Sequence, residues 1–428
     1  MENKIAWEKY PEGNKREEVF QFAENYRKFI SDCKTERECV TSFVEKAEKA
    51  GFVNLEKVIA EHTALKAGDR VYANNMGKGM ALFVIGKESM EKGMNILGAH
   101  IDSPRLDLKQ DPLYEDTDFA MLDTHYYGGI KKYQWVTLPL ALHGVIAKKD
   151  GTVVKVNVGD KPGDPVFGVS DLLIHLSGEQ LEKKAAKVIE GENLDLLIGS
   201  IPMQTEDEKV KEKVKANIMN LLSKEYGIEE EDFLSAEIEV VPAGEARDYG
   251  FDRSMIGSYG HDDKVCAYTS LRAAMDVAAP AFTSVTVFAD KEEIGSDGNT
   301  GLNSDFLKIF VEDLCAAQGA ESRRTLTNST CMSADVNAAF DPTFPEVAEK
   351  RNTAYLNHGV VITKYTGARG KSGTNDASAE FMHYVRDLLD RTGVIWQTGE
   401  LGAVDQGGGG TVAMFVAHMN VEVVDVGV

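Results

Sequence analysis

The stretch SVTVFADKEEIG, residues 284–295, predicts both the class of fold and the position of a functional site. Residues 284–289 read as a short apolar strand, and Glu292 and Glu293 follow almost directly. In open α/β sheets, ligands bind at the carboxyl ends of the strands. Of two adjacent glutamates at such an end, one can bind a metal while the other acts as a base. Taken alone, the pair is equally typical of a charged strand exit.

The sequence on both sides of this stretch indicates an α/β domain. From Ala243 onward, short strands alternate with helices, which predicts a largely parallel or mixed sheet. The predicted elements are strands at 284–289, 394–397 and 421–428 and helices at 376–391 and 411–417. Nearer the N-terminus, an amphipathic helix is predicted over 14–32, and a capping box formed by Thr35 and Glu38 opens a second helix.

Residues 102–240 differ in character from the rest. Strands are predicted at 136–148 and 152–158, and a charged helix over 205–231. We interpret 102–240 as an inserted β-rich domain, while 1–101 and 241–428 together form one discontinuous domain. A chain of 428 residues is too long for one core of the usual size, which also favours two domains.

Composition excludes several classes of function. The net charge of −22 opposes binding to nucleic acid and to anionic membranes. The sequence has no run of eighteen apolar residues and no secretory signal at its N-terminus. Its five cysteines are scattered without paired spacing, as is typical of the reducing cytoplasm. We therefore expect a cytoplasmic protein.

Three further segments place imidazole or carboxylate groups where strands end. They are GAHIDSP at 98–104, GHDDK at 260–264 and SADVN at 333–337. His100 followed by Asp102 suits a metal ligand whose second ring nitrogen is held by a carboxylate. The pair Asp262–Asp263 is costly to bury without a cation, although it also resembles a polar helix start. Asp335 lies in a run of apolar and small residues, where an unpaired carboxylate is expensive.

These segments resemble the aspartyl aminopeptidase family, metallopeptidase family 18, in its bacterial type. The resemblance rests on AHIDSPRLDLK, HDDKVCAYTSLRA, DKEEIGSDG and SADVNAAFDP, which occur in the family's order along almost the whole chain. It implies a co-catalytic zinc exopeptidase with two zinc ions per subunit, for which Mn or Co can substitute. It further implies that the metal ligands are His100, Asp262 (bridging), Glu293 and Asp335. Glu292 would be the general base, and Asp102 would hold the ring of His100. It also implies a cis peptide bond between Asp262 and Asp263.

The same resemblance implies a homo-oligomer, a dodecamer built from dimers through the inserted domain. His175 would then reach the active site of a neighbouring subunit, although a histidine in this apolar stretch could also belong to a core. Peptides are the implied substrates, with His358 and Lys364 along the cleft. We expect a preference for N-terminal Asp or Glu, with positive charge from Lys364, Arg369 or Lys371.

Two alternatives stay open from the sequence. One is another two-metal amidase on the same scaffold, and the other is a non-catalytic oligomeric scaffold with an incomplete metal site. The second arises because the family places a further ligand histidine just after the strand at 421–428. His418 reads as part of the helix before that strand, so it is not assigned as a ligand. We expect either a longer natural protein or a weakened second metal site.

Overall fold

The computed structural model describes residues 5–428, which divide into two compact units. The first unit ends at Asp102 and resumes as Gly260–Val428, and the second is Ser103–Tyr259. The sequence placed the second boundary at residue 240 instead. The difference arises because residues beyond 240 form a two-stranded sheet, Arg247–Tyr249 with Met255–Gly257, that clusters with the second unit.

Residues 5–428 contain eighteen strands and twelve α-helices. In chain order, the strands are β1 (Val53–Asn54), β2 (Arg70–Asn75), β3 (Gly79–Val84), β4 (Met94–His100), β5 (Arg105–Asp116), β6 (Phe119–Tyr127), β7 (Leu140–Ala147), β8 (Val153–Val158), β9 (Gly168–Val169), β10 (Leu196–Gly199), β11 (Ala236–Pro242), β12 (Arg247–Tyr249), β13 (Met255–Gly257), β14 (Thr283–Ala289), β15 (Thr330–Ser333), β16 (Val360–Thr363), β17 (Trp396–Thr398) and β18 (Glu422–Gly427). The α-helices are α1 (Ala6–Lys9), α2 (Asn14–Asp32), α3 (Glu36–Lys49), α4 (Leu55–Ala60), α5 (Lys132–Trp135), α6 (Gly178–Leu181), α7 (Lys213–Tyr226), α8 (His261–Asp276), α9 (Phe306–Gln318), α10 (Ser322–Thr327), α11 (Ala379–Thr392) and α12 (Ala413–Ala417).

The first unit is built on a nine-stranded sheet in the order β1-β2-β3-β14-β4-β15-β18-β16-β17. Its four central strands, β14, β4, β15 and β18, are parallel to one another. The flanking strands β3 and β16 are antiparallel to β14 and β18. The predicted α/β fold with a mixed sheet is therefore confirmed. Because Ala289 pairs with His100, the ends of β14 and β4 lie side by side.

Helices cover both faces of this sheet through apolar side chains. On one face, Phe43 of α3 lies 4.6 Å from Phe288 of β14, measured between ring centroids, and both rings are fully buried. On the same face, Phe381 and Val385 of α11 pack with Ile362 and Val424. The opposite face is covered by α9 and α12, whose Val311 and Val416 belong to one apolar cluster with Val285 and Val423. Full burial of one such side chain contributes about 1.5–3 kcal/mol relative to exposure, so these contacts fix the strands that position the site.

The second unit is a seven-stranded antiparallel sheet in the order β8-β7-β11-β5-β6-β10-β9. The helix predicted over 205–231 is shorter, because α7 covers only Lys213–Tyr226. The residue that caps its C-terminal end, Gly227, has a left-handed φ of 64°. Glycine is the residue that adopts this conformation at no steric cost. Within residues 5–428, the helices are all too short or too polar to cross a membrane.

Candidate active site

The imidazole of His100 lies between two carboxylates at the end of β4. Its Nδ1 is 3.1 Å from Oδ1 of Asp102, and its Nε2 is 3.0 Å from Oδ1 of Asp262. Burial opposes the charged form of His100, but the hydrogen bonds with Asp102 and Asp262 outweigh it and raise the pKa well above its usual value. Nε2 is therefore the nitrogen that faces the cluster, while Asp102 orients the ring.

Asp262 and Asp263 begin α8, and the peptide bond between them is cis, as predicted. The helix-start interpretation is only partly right, since both residues have non-helical backbone angles. The carboxylate of Asp262 is half exposed, whereas Asp263 is fully buried and accepts a hydrogen bond from the backbone N–H of His100 at 3.4 Å. Sequence reasoning gave Asp263 no role of its own.

Glu292 and Glu293 form a short 3-10 turn directly after β14. Their backbone N–H groups donate to the two oxygens of Asp102, at 3.1 Å for Glu292 and 3.2 Å for Glu293. Lys291 turns the chain toward Asp102 with a left-handed φ of 64°. Burial raises the pKa of Glu292, and burial together with neighbouring carboxylates raises that of Glu293 to about 8.

Asp335 follows β15 and joins the same group of side chains. Its Oδ1 lies 3.8 Å from Nε2 of His100. Burial, with further repulsion from Asp263 and Asp262, raises the pKa of Asp335 well above its usual value. β18 approaches this segment closely: a Cβ at Gly427 would lie 1.7 Å from the carbonyl oxygen of Asp335, so only glycine fits there.

The side chains that converge fit a zinc centre. Two groups have donor atoms within 4.8 Å of one another, namely His100, Asp262 and Glu293, and His100, Asp263 and Asp335. Imidazole and carboxylate are donors that zinc accepts. Carboxylates buried this close together repel one another, and a bound cation would relieve that repulsion.

The cluster opens into a cavity of about 500 Å³ in the first unit. The residues that line it are Asp262, Glu292, Glu293, Gly295, Asp335, Val336, Asn337, Thr363, Thr366, Leu401, Gly409, Gly410, Thr411, Met414, Phe415, Asp425 and Gly427. The sequence did not single out Asp425. The glycine run at 407–410 also contributes to this wall through Gly409 and Gly410. That run is packed, because a Cβ at Gly407 would lie 1.9 Å from the carbonyl oxygen of Leu401.

The remaining predicted residues lie elsewhere. His175 is exposed in the second unit, in the turn Ile174–Leu176, so its interpretation as a core histidine is wrong. It lines a separate cavity of about 940 Å³. His358 is partly buried beside Tyr355 and is not among the cavity-lining residues of the described chain. His418 is exposed at the end of α12, edge-on to Phe415.

Lys364 also lies outside the set that lines the cavity. Its ammonium group is bonded to one carboxylate oxygen of Asp376, and that of Lys371 lies 2.8 Å from the other. The two lysines lower the pKa of Asp376. The predicted source of positive charge is therefore largely paired with a carboxylate.

Comparison with known proteins identifies the family. Residues 29–428 match the model of the aminopeptidase I zinc metalloproteases, M18. A probable M18 family aminopeptidase 1 from Clostridium acetobutylicum is 58% identical over 100% of this chain and 92% of its own length. The crystal structure of an M18 aminopeptidase from Thermotoga maritima superposes with a TM-score of 0.94, at 46% identity, covering 100% of this chain and 93% of that one.

A more distant structure, a mApe1 dodecamer from S. cerevisiae, has the same fold at 21% identity and a TM-score of 0.74, covering 95% of this chain and 90% of that one. Both the family model and the close relatives span the segments that bear the converging histidine and carboxylates. The chain therefore belongs to the M18 family and is a zinc metallo-aminopeptidase.

Proposed function

We propose that the enzyme removes single N-terminal residues from peptides, with Glu292 as the general base. The observation that supports this most strongly is the position of Asp102, whose carboxylate contacts both the His100 ring and the Glu292 backbone. One residue thus fixes a metal ligand relative to the base. The proposed zinc ligands are His100, Asp262, Glu293 and Asp335. Zinc supplies the Lewis acidity that polarises the scissile carbonyl and acidifies water.

Glu292 suits the transfer of a proton. Its side chain is mostly shielded from solvent, and burial raises its pKa above the usual value for a glutamate, which makes it a stronger base. It would take a proton from the attacking water and return it to the amine that leaves when the peptide bond breaks. Asp102 keeps the turn that bears Glu292 in place by accepting from its backbone.

We propose two zinc ions per subunit, which His100, Asp262, Glu293 and Asp335 would hold, with Asp262 in the bridging role that the family resemblance implies. Support comes from the number of donors: four carboxylates converge with His100, which is more than a single four-coordinate zinc ion takes. Zinc content measured on purified protein tests the number, since a ratio near one per chain would contradict it. Mn and Co are the substitutes to compare.

The geometry favours neutral N-terminal residues over the acidic ones that we predicted. The cavity is lined by five carboxylates and, in the part of the chain that the structure describes, by no lysine, arginine or histidine. Lys364 and Lys371 are both held by Asp376. Leu401, Met414 and Phe415 offer apolar surface instead. We therefore propose a preference for neutral side chains of medium size.

We propose that the protein is a homo-oligomer, with the dodecamer of the yeast protein as the pattern. The supporting feature is an exposed apolar run in the second unit, where Leu172, Leu173, Ile174 and Leu176 are 51–68% exposed. Exposed apolar patches of this kind are typical of protein interfaces. His175 lies within the run and would act on a neighbouring subunit. Light scattering of wild type and of Ile174→Asp tests the assembly, since equal masses would contradict it.

A substrate panel tests the activity itself. We expect release of aniline from Leu-anilide and no release of acetate from N-acetyl-leucine, which would distinguish an aminopeptidase from an amidase on the same scaffold. Chelation should abolish the activity and zinc should restore it. If neither substrate is cleaved by zinc-loaded wild-type protein, the proposed function is wrong and a non-catalytic scaffold is favoured.

A further inference from the structure

Asp425 is a buried carboxylate in the wall of the active-site cavity. It lies on β18, which is otherwise apolar from Val423 to Val426, and it is only 5% exposed. Across the sheet it pairs with Ser333 of β15 and with Thr363 of β16. Since side chains of directly paired strand residues point to the same face, the three surround one spot at the base of the cavity.

Asp425 is held by the hydroxyl group of Thr411 and stands apart from the proposed zinc ligands. Oγ1 of Thr411 donates to its Oδ1 at 3.0 Å, and Ser333 is paired with Asp425 on the neighbouring strand β15. Neither group of converging donors includes Asp425, and within the described residues no lysine, arginine or histidine forms an ion pair with it. A carboxylate buried without a cation is unfavourable unless something else requires it.

The register of β18 relates the position of Asp425 to that of the proposed zinc centre. Gly427 abuts the backbone of Asp335, so that part of the strand lies beside the proposed zinc centre. Asp425 precedes Gly427 by two residues on the same face, which corresponds to about 6.6 Å along a strand. The free amine of a substrate lies next to the scissile bond, whereas the far end of its side chain lies about one such spacing away. This spacing suits Asp425 to the side chain of a substrate better than to its amine.

We propose that Asp425 is a specificity-determining residue, which faces the side chain of the substrate's N-terminal residue and disfavours acidic ones. The proposal rests on the aminopeptidase activity proposed above and names the residue that sets its charge preference. Zinc would offset the charge of the carboxylates that bind it, but Asp425 keeps its own charge. A second carboxylate brought against it in a water-poor cavity is repelled.

The assay pH has to keep Asp425 ionised. Burial raises its pKa to about 7, although the hydrogen bond from Thr411 opposes the rise. Above that value the carboxylate is charged, so pH 8 is a suitable condition.

The test compares Gln-anilide with Glu-anilide, which differ in charge but hardly in shape. We expect wild-type protein with bound zinc to cleave the Gln substrate with a kcat/KM at least about tenfold higher. In Asp425→Asn, the kcat/KM values on Gln-anilide and Glu-anilide should differ by no more than about threefold, mainly because kcat/KM on Glu-anilide rises. Asp387→Asn is the matched control, because it removes the same charge from an exposed position on α11.

Three results would overturn the proposal. These are a wild-type ratio near one, an unchanged ratio in Asp425→Asn, and an equal change in Asp387→Asn. If Asp425→Asn does not fold, Asp425→Thr repeats the test with an uncharged side chain suited to a strand. Absence of wild-type activity on Leu-anilide would instead contradict the aminopeptidase proposal, so the two failures are distinguishable.

Discussion

Asp102 and Glu292 are joined by a hydrogen bond of 3.1 Å, which the backbone N–H of Glu292 donates to Oδ1 of Asp102. The same oxygen is 3.1 Å from Nδ1 of His100, and the other oxygen accepts from Glu293. Asp102 and Glu292 are nearly two hundred positions apart in sequence, and they follow the neighbouring parallel strands β4 and β14. A single buried carboxylate thus sets the distance between the proposed zinc ligand His100 and the proposed base.

We predict that Asp102→Asn lowers both zinc affinity and turnover. The asparagine side chain has only one acceptor oxygen, so it cannot serve His100, Glu292 and Glu293 together. Loss of such a supporting contact typically costs about 10–100-fold in metal affinity or activity. Zinc content and kcat on Leu-anilide check this. Wild-type values for both in a folded Asp102→Asn protein would show that Asp102 does not position the site.

We predict opposite outcomes for the two adjacent glutamates. Glu292→Gln should abolish turnover with zinc content largely retained, because an amide cannot accept the proton of the attacking water. Glu293→Gln should lose zinc, because it removes a charged ligand. Each variant is the control for the other. A near-normal kcat in Glu292→Gln would overturn its assignment as the base.

Much of the scaffold was predictable because its causes are local in sequence. The capping box at Thr35 and Glu38 is present, and the helix predicted over 14–32 has those bounds. The strand before Glu292 and the mixed sheet were visible as apolar runs alternating with helical periodicity. Polar residues that directly follow such runs converge because the central strands are parallel.

Other features depend on partners that a sequence does not show. Asp263 reads as the second residue of a helix start, and only the fold brings it to His100. Asp425 is one acidic residue in an apolar strand, and its place in the cavity depends on register with Ser333 and Thr363. The pairing of Lys364 with Asp376 likewise required the fold of the loop between them.

We predict that zinc binding releases protons at neutral pH. Burial raises the pKa of Glu293 to about 8, and hydrogen bonds with carboxylates raise that of His100, so metal-free protein holds protons at pH 7. Zinc has to displace them, and its apparent affinity should therefore rise as pH increases from 6 toward the folded pKa near 8.

Calorimetric titration in buffers of different ionisation enthalpy measures the number of protons released per zinc. Glu293→Gln should release fewer protons than wild type at pH 7. A release of zero at pH 7, or an affinity that falls as pH rises, would contradict the protonation states inferred for the metal-free site.

The last prediction concerns the loop that bears both glutamates. Oγ1 of Thr300 donates to Oδ2 of Asp290 at 2.5 Å, and both residues are 2% exposed. A backbone bridge between Asp290 and Gly301 closes the loop at the same place. The side-chain hydrogen bond therefore ties together the two ends of the loop 290–301, which contains Glu292. Loss of this hydrogen bond should let the general base move.

We expect Thr300→Val, which keeps the shape but loses the hydroxyl, to destabilise the protein by about 1–3 kcal/mol, because a buried acceptor is left without its donor. It should also lower kcat about tenfold, since a displacement of the base by a fraction of an ångström is costly, while KM stays near wild type. Thr300→Ser keeps the hydroxyl and should restore kcat even if some stability is lost with the methyl group. Thermal unfolding and steady-state kinetics on Leu-anilide separate the two effects. A lower melting temperature with unchanged kcat in Thr300→Val would show that the bond stabilises the fold without positioning Glu292.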